Sequence, residues 1–187
     1  MNTKKICQLS SARQVHSPNY DERPVGLEIN LLVIHAISLP PGDFGGQWVE
    51  QFFTNQLDPE AHPYFKAISS LKVSAHLYIC RNGELLQFVD FDKRAWHAGV
   101  SMFQNTSRCN DYSIGIELEG SDDQPFSGIQ YQQLAKVTRE LQDLYPAITA
   151  ERIVGHCEIS PDRKTDPGPL FDWDRYRQSI NQGTLKP

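Results

Sequence analysis

The sequence predicts an α+β (mixed α/β) fold: a single domain in which helices flank a central mixed β-sheet. Three stretches carry this prediction. Residues 27–34 are almost continuously apolar, which is typical of a strand buried on both faces at the centre of a sheet. Residues 73–91 contain two strand-like runs joined by an Asn-Gly turn, which indicates a hairpin. Residues 127–145 repeat apolar side chains at helical spacing, which indicates a long helix packed on the sheet.

The length and composition limit the kind of protein this is. The chain has 187 residues, which suits one domain with its own core. Its net charge is −5 with both signs interspersed, which argues against a nucleic-acid partner. No stretch approaches the roughly 18 apolar residues of a membrane span, and we recognise no signal peptide. We therefore expect a cytoplasmic protein with free thiols, no membrane partner and no obligate protein partner.

The distribution of polar and periodic segments predicts the domain boundaries. Residues 1–24 are polar and contain two prolines, so we expect a surface arm. Residues 25–180 hold every periodic segment and are predicted to form the folded domain. Residues 181–187 are a polar tail.

A histidine follows the first strand directly. His35 ends the apolar run, and the ends of strands are where open α/β sheets place their binding crevice. A histidine that satisfies a loop carbonyl is an equally good interpretation. Residues 40–46 contain two prolines and three glycines and must form a loop, and residues 47–57 then predict a short amphipathic helix. Residues 58–64 predict a second loop.

Two more histidines lie in and after the hairpin. Along residues 73–80 the side chains alternate, and His76 shares a face with Tyr78. The second strand spans residues 85–91 and leads to Trp96 and His97, at the entry to a glycine-containing loop. His76 and His97 are both metal or substrate candidates, and the residues alone do not separate them.

The next predicted strand carries two carboxylates. In residues 113–120, Glu117 and Glu119 share one face with Gly115. Two carboxylates on one face suit acid–base catalysis, while the alternative is a solvated strand face. Alternation does not distinguish Glu117 from Glu119.

The remaining elements close the domain. The long helix is predicted to begin at the N-cap Ser127 and to end before Pro146. Ile153 and Val154 predict a short edge strand, and residues 172–180 predict a final helical segment.

Between these elements, residues 155–169 read GHCEISPDRKTDPGP. This composition predicts a loop that carries several side chains able to bind a metal or stabilise charge. His156 offers nitrogen and Asp166 offers oxygen to a metal such as zinc, and Lys164 is a cation able to stabilise negative charge. The alternative is a capping histidine with a solvated Lys–Asp pair.

Six segments together carry a resemblance to a known family. They run from about residue 17 to residue 173: LLVIHAISLPPGDFGG, DPEAHPYF, KVSAHLYICRNGEL, FDKRAWHAGVS, RCNDYSIGIELEG and GHCEISPDRKTDPGPLFDW. The combination resembles the AmpD-type N-acetylmuramyl-L-alanine amidases, zinc enzymes acting on 1,6-anhydro-muropeptides and related to the peptidoglycan recognition proteins. It implies that residues 25–180 form a zinc amidase domain. Ala36 and Lys72 stand where such enzymes carry Asn and Arg.

The resemblance assigns roles that the residues left open. It implies that Zn²⁺ is bound by three ligands, and that neither His76 nor His97 is one of them: the ligands are His35, His156 and Asp166. It implies that Glu117, rather than Glu119, is the catalytic acid/base and that Lys164 supports the transition state. It also implies that the substrate groove is lined by Trp96, His97 and Arg108.

The implied reaction is hydrolysis of the amide between the lactyl group of anhydro-N-acetylmuramic acid and L-alanine. The implied setting is cytoplasmic peptidoglycan recycling, which removes the signal that induces β-lactamase. Two alternatives compete with this function. One is a non-catalytic module that binds muropeptides, and the other is an amidase that acts on intact murein.

Overall fold

A computed structural model describes residues 6–182 of the chain. Across these residues the strands are β1 (Arg13–Gln14), β2 (Tyr20–Glu22), β3 (Leu31–Ile37), β4 (Leu77–Ile79), β5 (Leu85–Gln87), β6 (Lys93–Ala95), β7 (Met102–Phe103), β8 (Thr106–Ser107), β9 (Ser113–Glu119) and β10 (Ile153–Gly155). The helices are α1 (Trp48–Phe53), α2 (Phe65–Ile68), α3 (Gly128–Leu144), α4 (His156–Ile159) and α5 (Trp173–Gln182). No helix within residues 6–182 is both long and apolar enough to cross a membrane.

A six-stranded mixed sheet organises the fold, in the order β1-β5-β4-β9-β3-β10. Strands β4, β9, β3 and β10 run parallel to one another, and β5 is antiparallel to β4. The predicted hairpin is therefore present, with Gly83 at a positive φ of 86° in its turn. The mixed sheet with flanking helices confirms the predicted fold class.

The two faces of the sheet have different roles: one packs into the hydrophobic core, and the other carries the candidate site residues. On one face, the side chains of Leu32 and Ile34 in β3 pack with Ile114 and Ile116 of β9 against α3 and α5. The opposite face carries the residues between them. In-register pairing sets His35 beside Glu117, and paired residues of adjacent strands point to the same face. The polar candidates of β3 and β9 therefore share one face, away from the long helices.

Helix α3 covers the core face as predicted. Ser127 caps it through a capping box with Gln130, in which each side chain bonds to the other residue's backbone N–H. Its inward stripe includes Leu134, Val137 and Leu141, all buried in the main core. The hydroxyl of Thr138 meets that of Tyr176 in α5 at 2.6 Å, which ties the two helices together.

Several predicted elements differ from the observed ones, among them the second hairpin strand, which ends at Gln87 instead of residue 91. β3 begins at Leu31 instead of residue 27 and continues two residues beyond His35, which therefore lies inside the strand. The predicted strand of residues 73–80 is shortened to β4, because Ser74 N bonds to Trp96 O and the sheet hydrogen bonds begin only at His76 N, which donates to Gly115 O. The predicted loop of residues 155–169 begins with the single helical turn of α4.

The N-terminal segment is integrated with the rest of the chain. β1 lies at the edge of the main sheet, β2 pairs with β6, and Leu9 is buried in the core. Ser17 and Asn19 are buried as well. The predicted surface arm thus includes sheet and core residues, and the boundary at residue 25 stays a prediction. Residues 1–5, and residues 183–187 of the predicted tail, lie outside the described residues, and α5 extends into that tail as far as Gln182.

Candidate metal centre and groove

Two adjacent strands and one loop bring three candidate ligands together. His35 lies in β3, and the neighbouring strand β10 pairs with it through Gly155 and Ile34. His156 follows Gly155 directly as the first residue of α4, so it emerges next to His35. The loop after α4 turns back, with Lys164 N bonded to Ser160 O and Cys157 N bonded to Asp166 O. This return places Asp166 against both histidines.

The donor atoms of these residues form a compact triangle. His35 Nδ1 lies 3.0 Å from His156 Nδ1 and 3.1 Å from Asp166 Oδ2. His156 Nδ1 lies 3.0 Å from the same carboxylate oxygen. Ligands about 2.0 Å from a tetrahedral zinc stand about 3.3 Å from each other. Two nitrogens and one carboxylate oxygen at these separations fit a zinc site that leaves a fourth position open.

Burial and hydrogen bonding set the charge states in this cluster. Burial lowers the pKa of His35 to about 4, so its imidazole is neutral at pH 7, as a metal ligand must be. Burial by itself would raise the pKa of Asp166, but the adjacent His156 and His35 outweigh it and hold that pKa below its usual range. The cluster therefore presents a carboxylate with a neutral His35.

A buried carboxyl group lies beside the triangle. Glu117 is paired in register with His35 and is 9% exposed. Burial raises the pKa of Glu117 well above its ordinary value, and the Asp166 carboxylate raises it further while Lys164 lowers it. Its Oε2 atom has no hydrogen-bond partner among residues 6–182. A buried carboxyl with a raised pKa next to a metal site suits acid–base chemistry.

Glu119 has a different environment although it shares the strand face. Its two carboxylate oxygens accept hydrogen bonds from the backbone N–H groups of Gly45 and Arg81. Both oxygens are thus occupied in holding two loops. Glu119 is therefore an anchor for neighbouring backbone.

A groove of about 580 Å³ opens over the cluster. Its polar part contains the three candidate ligands with Glu117 and Lys164, and Trp96 and His97 lie in its lining. Arg108 is not among the lining residues, and its side chain instead pairs with Asp111 at 2.9 Å. The assigned roles of all these residues stay predictions.

His76 and His97, which the residues alone did not distinguish as candidates, lie in different environments. His97 Nδ1 lies 2.9 Å from His35 Nε2, and His97 Nε2 lies 3.1 Å from Ser113 Oγ. His76 lies outside the groove lining, and its Nδ1 accepts the Gly115 N–H at 3.0 Å. Neither ring belongs to the triangle of donor atoms.

Sequence reasoning missed an apolar wall of the groove. Tyr64, Ile68 and Leu71 line it together with Val73. Tyr64 and Leu71 are 40% and 49% exposed, so the wall they form is accessible from solvent. The spacing of residues 64, 68 and 71 follows one helical face and was the available signal. Arg163, which donates to the carbonyls of Ala98 and Val100, was also missed.

Comparisons with known proteins agree with this geometry. The chain is 58% identical to the 1,6-anhydro-N-acetylmuramyl-L-alanine amidase AmpD of Escherichia coli (strain K12) over 176 residues, which is 94% of this chain and 96% of that protein. It is 57% identical to the protein of the same name from Citrobacter freundii, covering 95% of each chain.

Solved structures show the same likeness. A crystal structure of a selenomethionine AmpD derivative superposes with a TM-score of 0.91 at 58% identity, covering 94% of this chain and 97% of that one. The amidase AmiD from Escherichia coli, in complex with the substrate anhydro-N-acetylmuramic acid-L-Ala-D-γ-Glu-L-Lys, gives a TM-score of 0.60 at 28% identity, covering 86% and 65%. Residues 25–169 match the family described as N-acetylmuramoyl-L-alanine amidase. The chain therefore belongs to the N-acetylmuramoyl-L-alanine amidase family.

Proposed function

We propose that this protein hydrolyses the amide bond between the lactyl group of 1,6-anhydro-N-acetylmuramic acid and the L-alanine of its stem peptide. The observation that carries the proposal is the pairing of Glu117 with His35. It sets a buried carboxyl, whose Oε2 has no hydrogen-bond partner within residues 6–182, beside a triangle of metal donors. The names of the relatives specify the bond, and the activity belongs to peptidoglycan recycling.

The residues that would hold the metal are His35, His156 and Asp166. Zinc bound there supplies Lewis-acid chemistry, which polarises a carbonyl and makes a water more acidic. Zinc fits because two imidazole nitrogens and one carboxylate oxygen leave one position for solvent or substrate.

Two residues of the chain handle protons and charge. Glu117 takes a proton from the attacking water while the oxygen of that water bonds to the amide carbon. The same carboxyl then gives that proton to the departing amine nitrogen, so that the carbon–nitrogen bond breaks without an unstable amide anion. Lys164 lines the groove, and its ammonium group stabilises the negative charge that develops on the carbonyl oxygen.

We further propose that the enzyme acts in the cytoplasm on anhydro-muropeptides and thereby lowers the signal that induces β-lactamase. Cys80, Cys109 and Cys157 are free thiols, which suits a reducing compartment. The apolar wall at Tyr64, Ile68 and Leu71 lies in the same groove as the polar cluster and offers a surface for the non-reacting part of the substrate.

The proposal is tested with purified, zinc-loaded protein and a synthetic anhydro-muropeptide. Mass spectrometry should detect free stem peptide, and Glu117→Gln protein should release none. Binding of the muropeptide without release would instead support a recognition module. Faster turnover of intact sacculi than of anhydro-muropeptide would overturn the substrate assignment.

A further inference from the structure

We propose that His97 is a positioning residue that fixes the tautomer and the orientation of the metal ligand His35. This inference rests on the metal site proposed above. It differs from the expectation that His97 contacts substrate, because it gives both ring nitrogens a task inside the protein.

The direction of the hydrogen bonds follows from the position of the donor triangle. His35 Nδ1 belongs to the triangle, so its lone pair faces the metal and its proton resides on Nε2. That proton points at His97 Nδ1, 2.9 Å away. His97 Nδ1 must therefore accept, which leaves the proton of His97 on Nε2. This second proton points at Ser113 Oγ, 3.1 Å away. The chain runs in one direction, from His35 through His97 to Ser113.

Packing holds the His97 ring in this position. The ring is 9% exposed and meets the His35 ring edge-on, with centroids 5.0 Å apart at 84°. On its other side it lies directly on the backbone of Gly115. A Cβ atom at Gly115 would stand 2.5 Å from His97 Cγ, closer than any real contact. Only glycine at this position of β9 leaves space for the ring.

The neighbouring residue supports the other histidine in the same way. His156 Nδ1 faces the triangle, and its Nε2 lies 3.1 Å from the carbonyl oxygen of Ala98. Asn110 Oδ1 accepts the N–H groups of both His97 and Ala98, at 3.2 and 2.8 Å. A single short segment, residues 97–98, therefore orients both imidazole ligands. Outer partners of this kind typically change metal affinity by about 10- to 100-fold when they are removed.

Zinc affinity tests this proposal without relying on turnover. The metal-free wild-type protein and its variants compete for zinc with a chromophoric chelator. His97→Phe keeps the ring volume and removes the acceptor, so we expect zinc affinity to fall by about 10- to 100-fold. His97→Asn keeps an acceptor near the Nδ1 position and should bind zinc more tightly than His97→Phe. Gly115→Ala, which displaces the ring, should also weaken binding.

Matched measurements separate positioning from general damage. His16→Phe replaces an exposed histidine and should leave zinc affinity unchanged. The visible spectrum of the cobalt-substituted protein should shift in His97→Phe, because the geometry of the His35 ligand changes. Far-ultraviolet circular dichroism of the metal-free proteins checks folding, and if His97→Phe does not fold, Gly115→Ala and His97→Asn provide the comparison.

The results distinguish this inference from the proposed function. Zinc affinity and cobalt spectra equal to those of wild type in His97→Phe and Gly115→Ala would overturn the positioning role while leaving the metal site intact. Failure of the wild-type protein to bind zinc would overturn the metal site itself, and with it both proposals.

Discussion

At the scale of single residues, two glutamates on one strand face show how the environment separates chemical roles. Glu119 has both oxygens bonded to backbone N–H groups, whereas Glu117 Oε2 is buried without a partner among the described residues. The alternation of side chains along β9 predicted that both glutamates share one face, but it did not distinguish their roles. The loops that reach Glu119 come from residues 45 and 81, far away in the sequence, and periodicity contains no information about them.

Replacement of Glu117 by glutamine should abolish amide hydrolysis and leave metal binding intact. The amide keeps the shape of the side chain but neither accepts a proton from water nor gives one to the amine. Turnover and zinc content measured on the same sample check this. Turnover close to wild type in Glu117→Gln would remove Glu117 from its role.

Asp166→Ala should show the reverse pattern, since it removes the oxygen of the donor triangle. We expect the variant to lose its zinc after dialysis, measured by elemental analysis, with turnover lost in proportion. A variant that retains stoichiometric zinc would contradict the assignment of Asp166 as a ligand.

Lys164→Met should lower kcat by about 10²- to 10³-fold, as the loss of one oxyanion donor typically does. Zinc affinity should not change, because Lys164 is not part of the triangle. Single-turnover kinetics with a zinc titration separates the two effects. Equal losses of zinc and of turnover would indicate a structural role for Lys164 instead.

At the scale of elements, the sequence predicted those whose signals are local. The bounds of α3 follow from the Ser-x-x-Gln capping box and the stop at Pro146, both visible in the sequence. β9 was predicted almost to the residue. The predicted start of β3 was wrong because the apolar run in the sequence includes residues 27–30, which precede the strand. Within it Leu27 is 49% exposed, and the backbone carbonyl of Asn30 accepts a hydrogen bond from the Arg152 side chain instead of from a neighbouring strand.

The capping box offers a test at this scale. Ser127→Ala should lower the free energy of unfolding by about 1 kcal/mol, because one backbone N–H at the start of α3 loses its partner. Denaturant unfolding measures the change, and turnover should be unaffected. Ser179→Ala, which removes a hydroxyl from the exposed side of α5, serves as the control and should change stability less.

The candidate site also shows what an element-by-element reading leaves out. The sequence shows which residues are able to bind a metal, but not which of them meet in space, since His35 and His156 are 121 positions apart. Their proximity comes from the pairing of β3 with β10, which no local pattern encodes. The selection of Glu117 and the exclusion of His76 and His97 as ligands came from the resemblance, and the direct roles remain predictions until the variants are measured.

At the scale of the whole molecule, the N-terminal segment is bound to the strands that carry the site. Arg23 donates hydrogen bonds to the carbonyl oxygens of Phe91, Asn110, Asp111 and Ser113. Ser113 is the residue whose hydroxyl meets His97. Polar composition predicted a surface arm for residues 1–24, because composition does not show that one arginine satisfies several buried carbonyls.

Arg23→Met should therefore destabilise the protein strongly. It leaves several buried carbonyl groups without donors, which costs about 3 kcal/mol or more in total. Urea unfolding measures the loss. Arg13→Met is the matched control: Arg13 makes exposed ion pairs with Glu50 and Glu84, and its loss should cost less than about 1 kcal/mol. Similar costs for both variants would contradict the interpretation of Arg23.

Buried imidazoles make the stability of the metal-free protein depend on pH. Burial lowers the pKa of His76 well below its ordinary value, and the nearby Arg23 lowers it further. The unfolded histidine has a pKa of about 6.5, so below that pH the unfolded state binds more protons and stability falls as pH falls. Between pH 7.5 and 5.5, His76→Gln should lose less stability than wild type, by on the order of 1 kcal/mol. Equal losses in urea unfolding would refute this.

One pairing in the sheet has a consequence for how such an enzyme diversifies. His35 and Glu117 are neighbours through the ladder of β3 and β9, so their separation is set by main-chain pairing in the middle of the molecule. The groove walls are supplied by other segments, including Tyr64, Leu71 and Trp96. If the proposed roles hold, we expect substitutions in those walls to change which cell-wall fragments are accepted without disturbing His35 and Glu117. Substrate preference and chemical competence are, in this architecture, separately adjustable properties.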